Sequence, residues 1–585
     1  MLRNTCREIA IGFTRFCMEQ HIYNLLLAIF IGALSGWGAI LFQHILQGTQ
    51  FAFYQNSHDI LTFHGSVSPW KLALLPAVGG LLVGLVVHFG ASEAKGHGVP
   101  EVMAALALQG GRIRKRVALI KILASAICIG SGGSSGREGP MVQIGSSIGS
   151  SVGQLAGVTV MHQRTMVGCG AAAGIAATFN APIAGVLFAL EIIIGDFGLM
   201  SFSPVVIASV TATAISRSYW GDLPNFSIPT YEIHTLWEFG IYPLLGVLAA
   251  FAAVAFIIVL YKAEDVFEKL PLPEWLKPAL GGLLLGLIVL QWPEAFGVGY
   301  GTMNMALHSQ MTGLMLLSLI FVKIAATSLT LGSGGSGGIF APSLFIGAMT
   351  GGAFGWAAGQ LFPGIAPPGA YALVGMGAVV AGTTHAPITA ILIIFEMTGD
   401  YKIILPMMIT CILATIVASA LKRDSIYTLK LRRRGIDISG GMEQNILRAL
   451  KVKRFMTSEV TTVPESMPLI DIILTFKNDN VPYLHVTGKT GQLTGIISFR
   501  DIRPLLREDG LHYLVIARDV GTRDLVTVTP SDDIQKAMRI MSARGISQLP
   551  VVESSGTGHV VGALRQKDVL MAYDKAIIRR ELEDF

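Results

Sequence analysis

The amino-acid sequence predicts an all-α polytopic membrane protein with an inverted internal repeat, followed by an α/β cytoplasmic domain. Three observations carry that prediction. The chain is apolar: its 585 residues are 52% hydrophobic and 14% charged, with a mean hydropathy of +0.59. Its charge is uneven. Residues 441–585 hold 37 of the 81 charged side chains, against 44 in the first 440, as expected of a membrane part followed by a soluble part. Finally, it repeats. GSGGSSGREGP (Gly130 to Pro140) returns 202 residues later as GSGGSGGIFAP (Gly332 to Pro342), identical at seven of eleven positions. NAPIAGVLFALE (Asn180 to Glu191) returns at an offset of 205 as HAPITAILIIFE (His385 to Glu396). In membrane transporters, duplicated halves place the binding site at their interface, where interrupted helices aim their ends at the substrate.

Taken in order, apolar runs long enough for about 30 Å of hydrocarbon are Tyr23–Phe53, Trp70–Phe89, Phe202–Ser216, Phe239–Val259, Trp275–Trp292, Leu314–Leu331, Leu344–Leu361 and Ile404–Leu421. Shorter runs at Val99–Leu108, Val117–Ile129, Met141–Leu155, Ile183–Ile194 and Pro387–Met397 read as helices that cross only part of a bilayer or tilt. The repeat halves cover about 20–217 and 235–421 of a membrane domain spanning 1–435. A linker follows at 436–450, and a soluble domain at 451–585. Gly is abundant, at 67 residues, as close helix packing in membranes requires.

The N-terminus (Arg3, Arg7, Arg15) is basic but lacks a cleavage site of small residues, so no signal peptide is expected. The clusters Arg112, Arg114, Lys115, Arg116 and Lys422, Arg423, Lys430, Arg432, Arg433, Arg434 predict cytoplasmic loops. They place the protein in the inner membrane with both termini in the cytoplasm. The net charge of +5 needs no nucleic acid to explain it. The five cysteines (Cys6, Cys17, Cys128, Cys169, Cys411) have neither metal spacing nor a disulfide pattern, and read as packing residues.

Gly130–Gly136, with four Gly and three Ser, cannot form a stable helix in lipid unless something satisfies its backbone. Pro140 and an apolar run follow, so a helix is expected to start near Arg137 to Pro140, and its counterpart near Phe340 to Pro342. Helix N-termini offer free N–H groups and the positive end of a dipole. Two such ends brought together by an inverted repeat form a site for a small anion without a full positive charge, which lets the ion leave again. A third Gly-rich helix start is GHGVPEV, Gly96 to Val102. Glu138 sits inside the first motif. An intramembrane acid reads as functional, and here it competes with anions for the same N–H groups, as a gate would. The second copy has Phe340 in its place. Glu191 and Glu396 match each other, which points to a symmetric structural role such as bonding to backbone N–H groups.

GREGP (Gly136–Pro140), GGIFAP (Gly337–Pro342) and GHGVP (Gly96–Pro100), with Tyr427 in SIYTLK, resemble the anion-site elements of the CLC family of chloride channels and proton/chloride exchangers. The resemblance covers nearly the whole chain. It implies a homodimer with one pore per subunit and makes Glu138 the external gating glutamate. It implies a chloride site at the Ile339 and Phe340 amides, the Tyr427 hydroxyl and the GHGVP motif, with Gly98, Arg137, Gly139, Gly338 and Ala341 completing the anion-binding set.

Two departures from the family pattern matter. The family's usual GSGIP serine is His97 here. A histidine can donate through a ring N–H and titrates near neutral pH. Either it makes occupancy pH-dependent, or it points away and only backbone amides serve the ion. Many family exchangers also carry a second, inward glutamate directly after the position of Glu191, where this chain has Ile192. Isoleucine cannot carry a proton. The expectation is therefore passive chloride conduction, with proton-coupled exchange as the alternative.

The soluble domain also repeats, as Met456–Ile502 and Val520–Val569. Each copy reads as strand, amphipathic helix, buried strand (Tyr483–Val486; Leu549–Val552), turn, strand and helix. The pair resembles tandem CBS modules, about 451–508 and 516–576. Such pairs often bind adenine nucleotides (ATP, ADP or AMP) through a Ser/Thr and an Asp on the ribose. The first module keeps Ser498 and Asp501; the second keeps Asp568 but has Arg565 for the hydroxyl residue. A nucleotide sensor and a purely structural pair both remain open.

A divalent-cation transporter would need an acid-lined path, and these motifs are nearly acid-free. An intramembrane enzyme would need a nucleophile–base or metal constellation, and His97, His162, His234, His308 and His385 are dispersed. No enzyme activity, metal or required cofactor is expected. The expected partners are chloride, lipid and a second subunit.

Overall fold

The computed structural model describes the chain except residues 1, 57–60, 62–66, 223–225, 227, 230, 232–235, 437–446, 448–449, 480, 508, 554–557 and 572–585, and the side chains of 2–20, 199, 236, 507 and 509. Arg3, Arg7, Arg15, Cys6, Cys17, His234 and most of the expected linker therefore lie outside the described side chains. The chain forms two compact units, Met1–Ile438 and Ser439–Phe585.

The first unit is helical. Its first half comprises α1 (Leu2–Tyr54), α2 (Pro69–Phe89), α3 (Val99–Gln109), α4 (Arg116–Gly130), α5 (Glu138–Leu155), α6 (Val160–Phe179), α7 (Pro182–Phe188, extended by a π-helical turn at Ala189–Ile194) and α8 (Leu199–Trp220). The second half repeats the series as α9 (Tyr242–Lys269), α10 (Lys277–Gln291), α11 (Tyr300–Leu307), α12 (Gly313–Gly332), α13 (Phe340–Leu361), α14 (Pro368–Thr384), α15 (Pro387–Thr398) and α16 (Ile404–Leu421), and α17 (Thr428–Arg433) follows. Among the described residues, five helices are long and apolar enough to cross a membrane.

Packing repeats with the sequence. α5 packs on α6 as α13 packs on α14; α1 packs on α8 as α9 packs on α16. Glycine makes the first contact possible in both halves. A methyl group on Gly170 would come 1.9 Å from the Gly145 carbonyl oxygen, and one on Gly375 would come 2.4 Å from that of Gly347. Small residues thus let helix backbones touch where lipid provides no hydrophobic drive. The halves also exchange equivalent backbone bonds, with one extra donor to Glu191, the Thr389 hydroxyl at 2.6 Å. Glu191 accepts from the Thr389 N–H at 2.8 Å, and Glu396 from the Ala184 N–H at 2.6 Å. Residues 184 and 389 are separated by the same 205 positions as the two glutamates, so the exchange is reciprocal, as a two-fold axis requires. These bonds cap the starts of α15 and α7, the role read from the matched positions.

Four of the basic residues after α16 are ion-paired. Arg433 pairs with Asp265 (2.7 Å), Arg434 with Glu101 (2.9 Å), Arg432 with Asp424 (2.8 Å) and Lys430 with Glu264 (3.6 Å). They tie α17 to α3 and α9, beyond flanking a membrane segment. Cys128, Cys169 and Cys411 are free and buried.

In the second unit, β1 (Thr462–Pro464) runs parallel to β2 (Tyr483–Thr487), which pairs antiparallel with β3 (Leu493–Ser498); α18 (Leu469–Asp479) connects the first two. The second module has α21 (Ile534–Arg544) and the antiparallel pair β4 (Gln548–Val552) and β5 (Val560–Arg565). The short helices α19 (Phe499–Ile502) and α20 (Ala517–Val520) lie between the modules in sequence. The chain segments cross over. Leu447 and Val452 join the core around Ile534 and Leu549, while Ala517 joins the core around Leu484 and Ile497. The first residues of each module, with Leu447 just before the first, thus fill the other module's core.

Candidate functional site

Four interrupted loops meet inside the first unit. Gly96–Gly98 precedes α3, the first Gly/Ser motif precedes α5, Gly297–Gly299 precedes α11 and the second motif precedes α13. α5 begins at Glu138 and α13 at Phe340, within the stretches expected from the prolines. The two motifs are stitched to each other. The Gly136 N–H donates to the Gly338 carbonyl at 2.8 Å, and the Gly338 N–H returns the bond at 2.6 Å. Gly96 joins them, donating to the Gly335 carbonyl at 2.9 Å and accepting from the Gly337 N–H at 3.3 Å. Backbone that could not survive in lipid is satisfied by the backbone of the opposite half. Gly139 has no room for a side chain, since a methyl group there would come 2.3 Å from the His97 carbonyl oxygen and 2.9 Å from the Gly338 Cα.

Two buried lysines hold this assembly. The Lys121 ammonium donates to the carbonyls of Ala94 (3.0 Å) and Gly96 (2.7 Å), and that of Lys323 to those of Ala295 (3.1 Å) and Gly297 (2.8 Å). Neither side chain has measurable exposure. Sequence reading missed both. The repeat, followed upstream of the Gly/Ser motif, shows Lys-Ile at 121–122 and again at 323–324, the same 202 residues apart. It also missed that GHGVP has a counterpart, GVGYG (Gly297–Gly301). The two share Gly at the turn, with φ +84° at Gly98 and +88° at Gly299, where an L side chain would be strained.

The Glu138 side chain is 1% exposed. Its Oε1 accepts a hydrogen bond from the Tyr300 hydroxyl at 3.1 Å, while Oε2 is buried without a well-formed hydrogen bond, and the carboxylate lies by the N–H groups of Glu138 and Ala341. Oε2 lies so close to Gly136 that a methyl group there would approach it to 2.0 Å. The carboxylate therefore folds back over the start of its own helix, into the seam between the halves. Arg137, next to it, donates to Gln43 Oε1 at 2.9 Å and stands over the Tyr300 ring at 5.3 Å.

His97, Phe340, Ile339 and Tyr427 are all buried. The His97 and Tyr427 rings lie 6.0 Å apart, and His97 Nδ1 has no partner. The loop carrying Tyr427 is fixed by the Ile426 N–H on the Thr383 carbonyl (2.9 Å) and by the Tyr261 hydroxyl on the Ile426 carbonyl (2.6 Å). Phe340 packs on Phe179, with ring centroids 5.5 Å apart. Ile192 is buried within the π-helical turn. Among the described residues there is no group of three or more His, Cys, Asp or Glu arranged to hold a metal.

In the second unit, Ser498 and Asp501 bond to each other. Asp501 accepts from the Ser498 hydroxyl and N–H, both at 2.7 Å, closing a capping box at α19. Asp568 accepts from the Arg565 Nε at 2.9 Å, so that guanidinium is engaged within its own module.

Comparison with known proteins agrees with this architecture. The voltage gated chloride channel family pattern matches residues 79–419, and the CBS domain pattern matches 452–508 and 517–575. A chloride channel protein described as ClcB-like from Ralstonia nicotianae is 36% identical over 414 residues, covering 70% of this chain and 96% of that protein. The voltage-gated ClC-type chloride channel ClcB of Escherichia coli strain K12 is 32% identical over 413 residues, covering 69% and 98%. Among solved structures, a slow cyanobacterial Cl−/H+ antiporter superposes with a TM-score of 0.64 at 30% identity, covering 70% of this chain and 97% of that one. A eukaryotic CLC transporter superposes with a TM-score of 0.60 at 20% identity, covering 94% and 98%. The chain is an integral membrane protein and belongs to the CLC family of chloride channels and transporters, with a C-terminal pair of CBS domains.

Proposed function

We propose that this CLC protein is a passive chloride channel gated by Glu138 and regulated by its cytoplasmic CBS pair. The observation that carries the passive reading is Ile192. The position after Glu191, which in many family exchangers holds an inward glutamate, is an apolar and buried side chain here. Glu138 is the gate in this reading because its carboxylate fills the seam where four helix starts converge. An anion entering that seam meets the amides of Gly139, Gly338, Ile339, Phe340 and Ala341, the Gly98 loop, the Arg137 charge and the Tyr427 hydroxyl. His97 faces the same path, which is supported by its ring lying beside Tyr427 and its unpartnered Nδ1. The protein works as a homodimer in the inner membrane with cytoplasmic termini. Ser498, Asp501 and Asp568 are the candidate contacts for an adenine nucleotide, which would have to loosen the capping bonds they now make.

The second reading is proton-coupled exchange, favoured by the similarity to the cyanobacterial antiporter. The two separate in liposomes holding the purified protein, with voltage clamped and a chloride gradient imposed. Chloride flux without proton movement is the expected result. Protons driven uphill by chloride would establish exchange.

A further inference from the structure

We propose that Tyr300 is the latch of the Glu138 gate, so that a residue of the second half sets how readily the first half opens. The proposal rests on Glu138 being the gate. The Tyr300 hydroxyl donates to Glu138 Oε1 at 3.1 Å, and the other groups near the carboxylate are the backbone N–H groups of Glu138 and Ala341. The phenol therefore gives the seated carboxylate a side-chain donor, and hydrogen bonds to an ionised acceptor are about twice as strong as neutral ones.

The latch is itself held from three directions. The Arg137 guanidinium stands over its ring at 5.3 Å, and the Phe226 ring lies 5.6 Å away. Its backbone follows Gly299, whose φ of +88° fixes the turn into α11. The loop just before it is anchored by Lys323 on the carbonyls of Ala295 and Gly297. A donor fixed in this way loses little freedom when it binds the carboxylate, and it lies in place before the gate returns.

The internal repeat supplies an independent argument. By the offset of 201 that aligns GVGYG with GHGVP, Tyr300 corresponds to Val99, just as Glu138 corresponds to Phe340 by the offset of 202. On one side of the two-fold axis there is an acid and a hydroxyl donor facing it. On the other side both partners are apolar, and both Val99 and Phe340 are buried. The donor occurs where there is a carboxylate to hold and is missing where there is none.

Opening requires the carboxylate to leave the seam, and protonation lets it go. A hydroxyl that stabilises the seated, ionised form opposes both steps. Removing it raises anion flux at neutral pH by about tenfold and moves the pH of half-maximal flux upward by about one unit, the effect of losing one hydrogen bond to a charged group.

The test is chloride efflux against pH from liposomes holding the purified full chain, comparing wild type, Tyr300→Phe, Glu138→Ala and the double variant. Phenylalanine keeps the ring packing on Arg137 and Phe226, so only the hydroxyl is lost. Tyr300→Val, the first half's own residue, serves as the second variant. The latch predicts raised flux and an upward midpoint shift in both Tyr300 variants, and a double variant that behaves like Glu138→Ala. An unmoved midpoint in the Tyr300 variants, with Glu138→Ala pH-independent, overturns the latch and leaves the gate standing. A Glu138→Ala protein that keeps its pH dependence overturns the gate, and the latch with it.

Discussion

In the first half of the membrane unit, Asn180 turns the chain at φ +57° before Pro182 opens a helix; in the second, His385 does so at the same φ before Pro387. Gly132 and Gly334 share φ +107°. Lys121 and Lys323 each hold two loop carbonyls, and Glu191 and Glu396 each cap the other half's helix. Against this likeness stand three differences around the seam. Glu138 faces Phe340 across the two-fold axis, His97 matches Val298, and Val99 matches Tyr300. A fourth lies in α7, which ends in a π-helical turn around Ile192, whereas its partner α15 is α-helical throughout. π turns inside helices often mark functional sites. The backbone frame and the charged residues that brace it are duplicated, and only the titratable side chains at the seam, Glu138, His97 and Tyr300, stand in one copy alone.

If the frame is duplicated, damage to either copy should cost the same. Lys121→Met and Lys323→Met each lose two hydrogen bonds from a buried ammonium, and each should lower stability by about 3 kcal/mol. Thermal unfolding of the detergent-purified protein measures this, and a loss in only one of the two would break the equivalence. Glu191→Gln and Glu396→Gln keep one acceptor each and should cost about 1 kcal/mol apiece, read in the same melts. A loss at Glu191 larger by more than the one extra bond it takes from the Thr389 hydroxyl would mean that this cap serves more than the frame.

Differences between the halves should appear in transport. His97→Ser should change the anion preference or its pH profile by about threefold, the effect of changing one hydrogen bond, whereas Val298→Ser should change neither. Equal responses in competition flux between chloride and a larger anion would remove His97 from the path.

The smallest effect compares the two CBS modules. His485 in β2 stands where Pro550 stands in β4, since both strands carry the same register shift one residue further on. Burial holds the His485 imidazole below its ordinary value. The unfolded chain therefore binds more protons as pH falls below about 6.5, and the module loses stability there. Hydrogen exchange of β2 in the full chain should quicken between pH 7.5 and 5.5 relative to β4, after correction for intrinsic rates. His485→Phe should remove the difference, and its persistence would assign it to another group.

Much of this was legible because repeated motifs state their own alignment. Pro140 and Pro342 mark the starts of α5 and α13, and matched glutamates at one offset imply matched bonds. What was not legible depends on contacts between distant residues without a shared motif. Tyr300 lies 162 residues from Glu138, and nothing local to a tyrosine in a glycine-rich turn says that its hydroxyl meets an acid. Lys121 and Lys323 sit in runs that read as plain membrane segments, because two backbone carbonyls satisfy each charge and backbone leaves no signature in side-chain pattern. The crossed segments of the CBS pair were hidden for a similar reason. Val452 and Ala517 are ordinary apolar residues, and their periodicity does not say which module's core they fill.

The central claim is that the frame is shared while a single carboxylate gates it. Chloride efflux from liposomes as a function of pH, in Glu138→Ala beside Phe340→Ala, tests it most directly. The account predicts open, pH-independent flux in the first variant and retained pH dependence in the second. Flux in Glu138→Ala that still follows pH as in the wild type would contradict it.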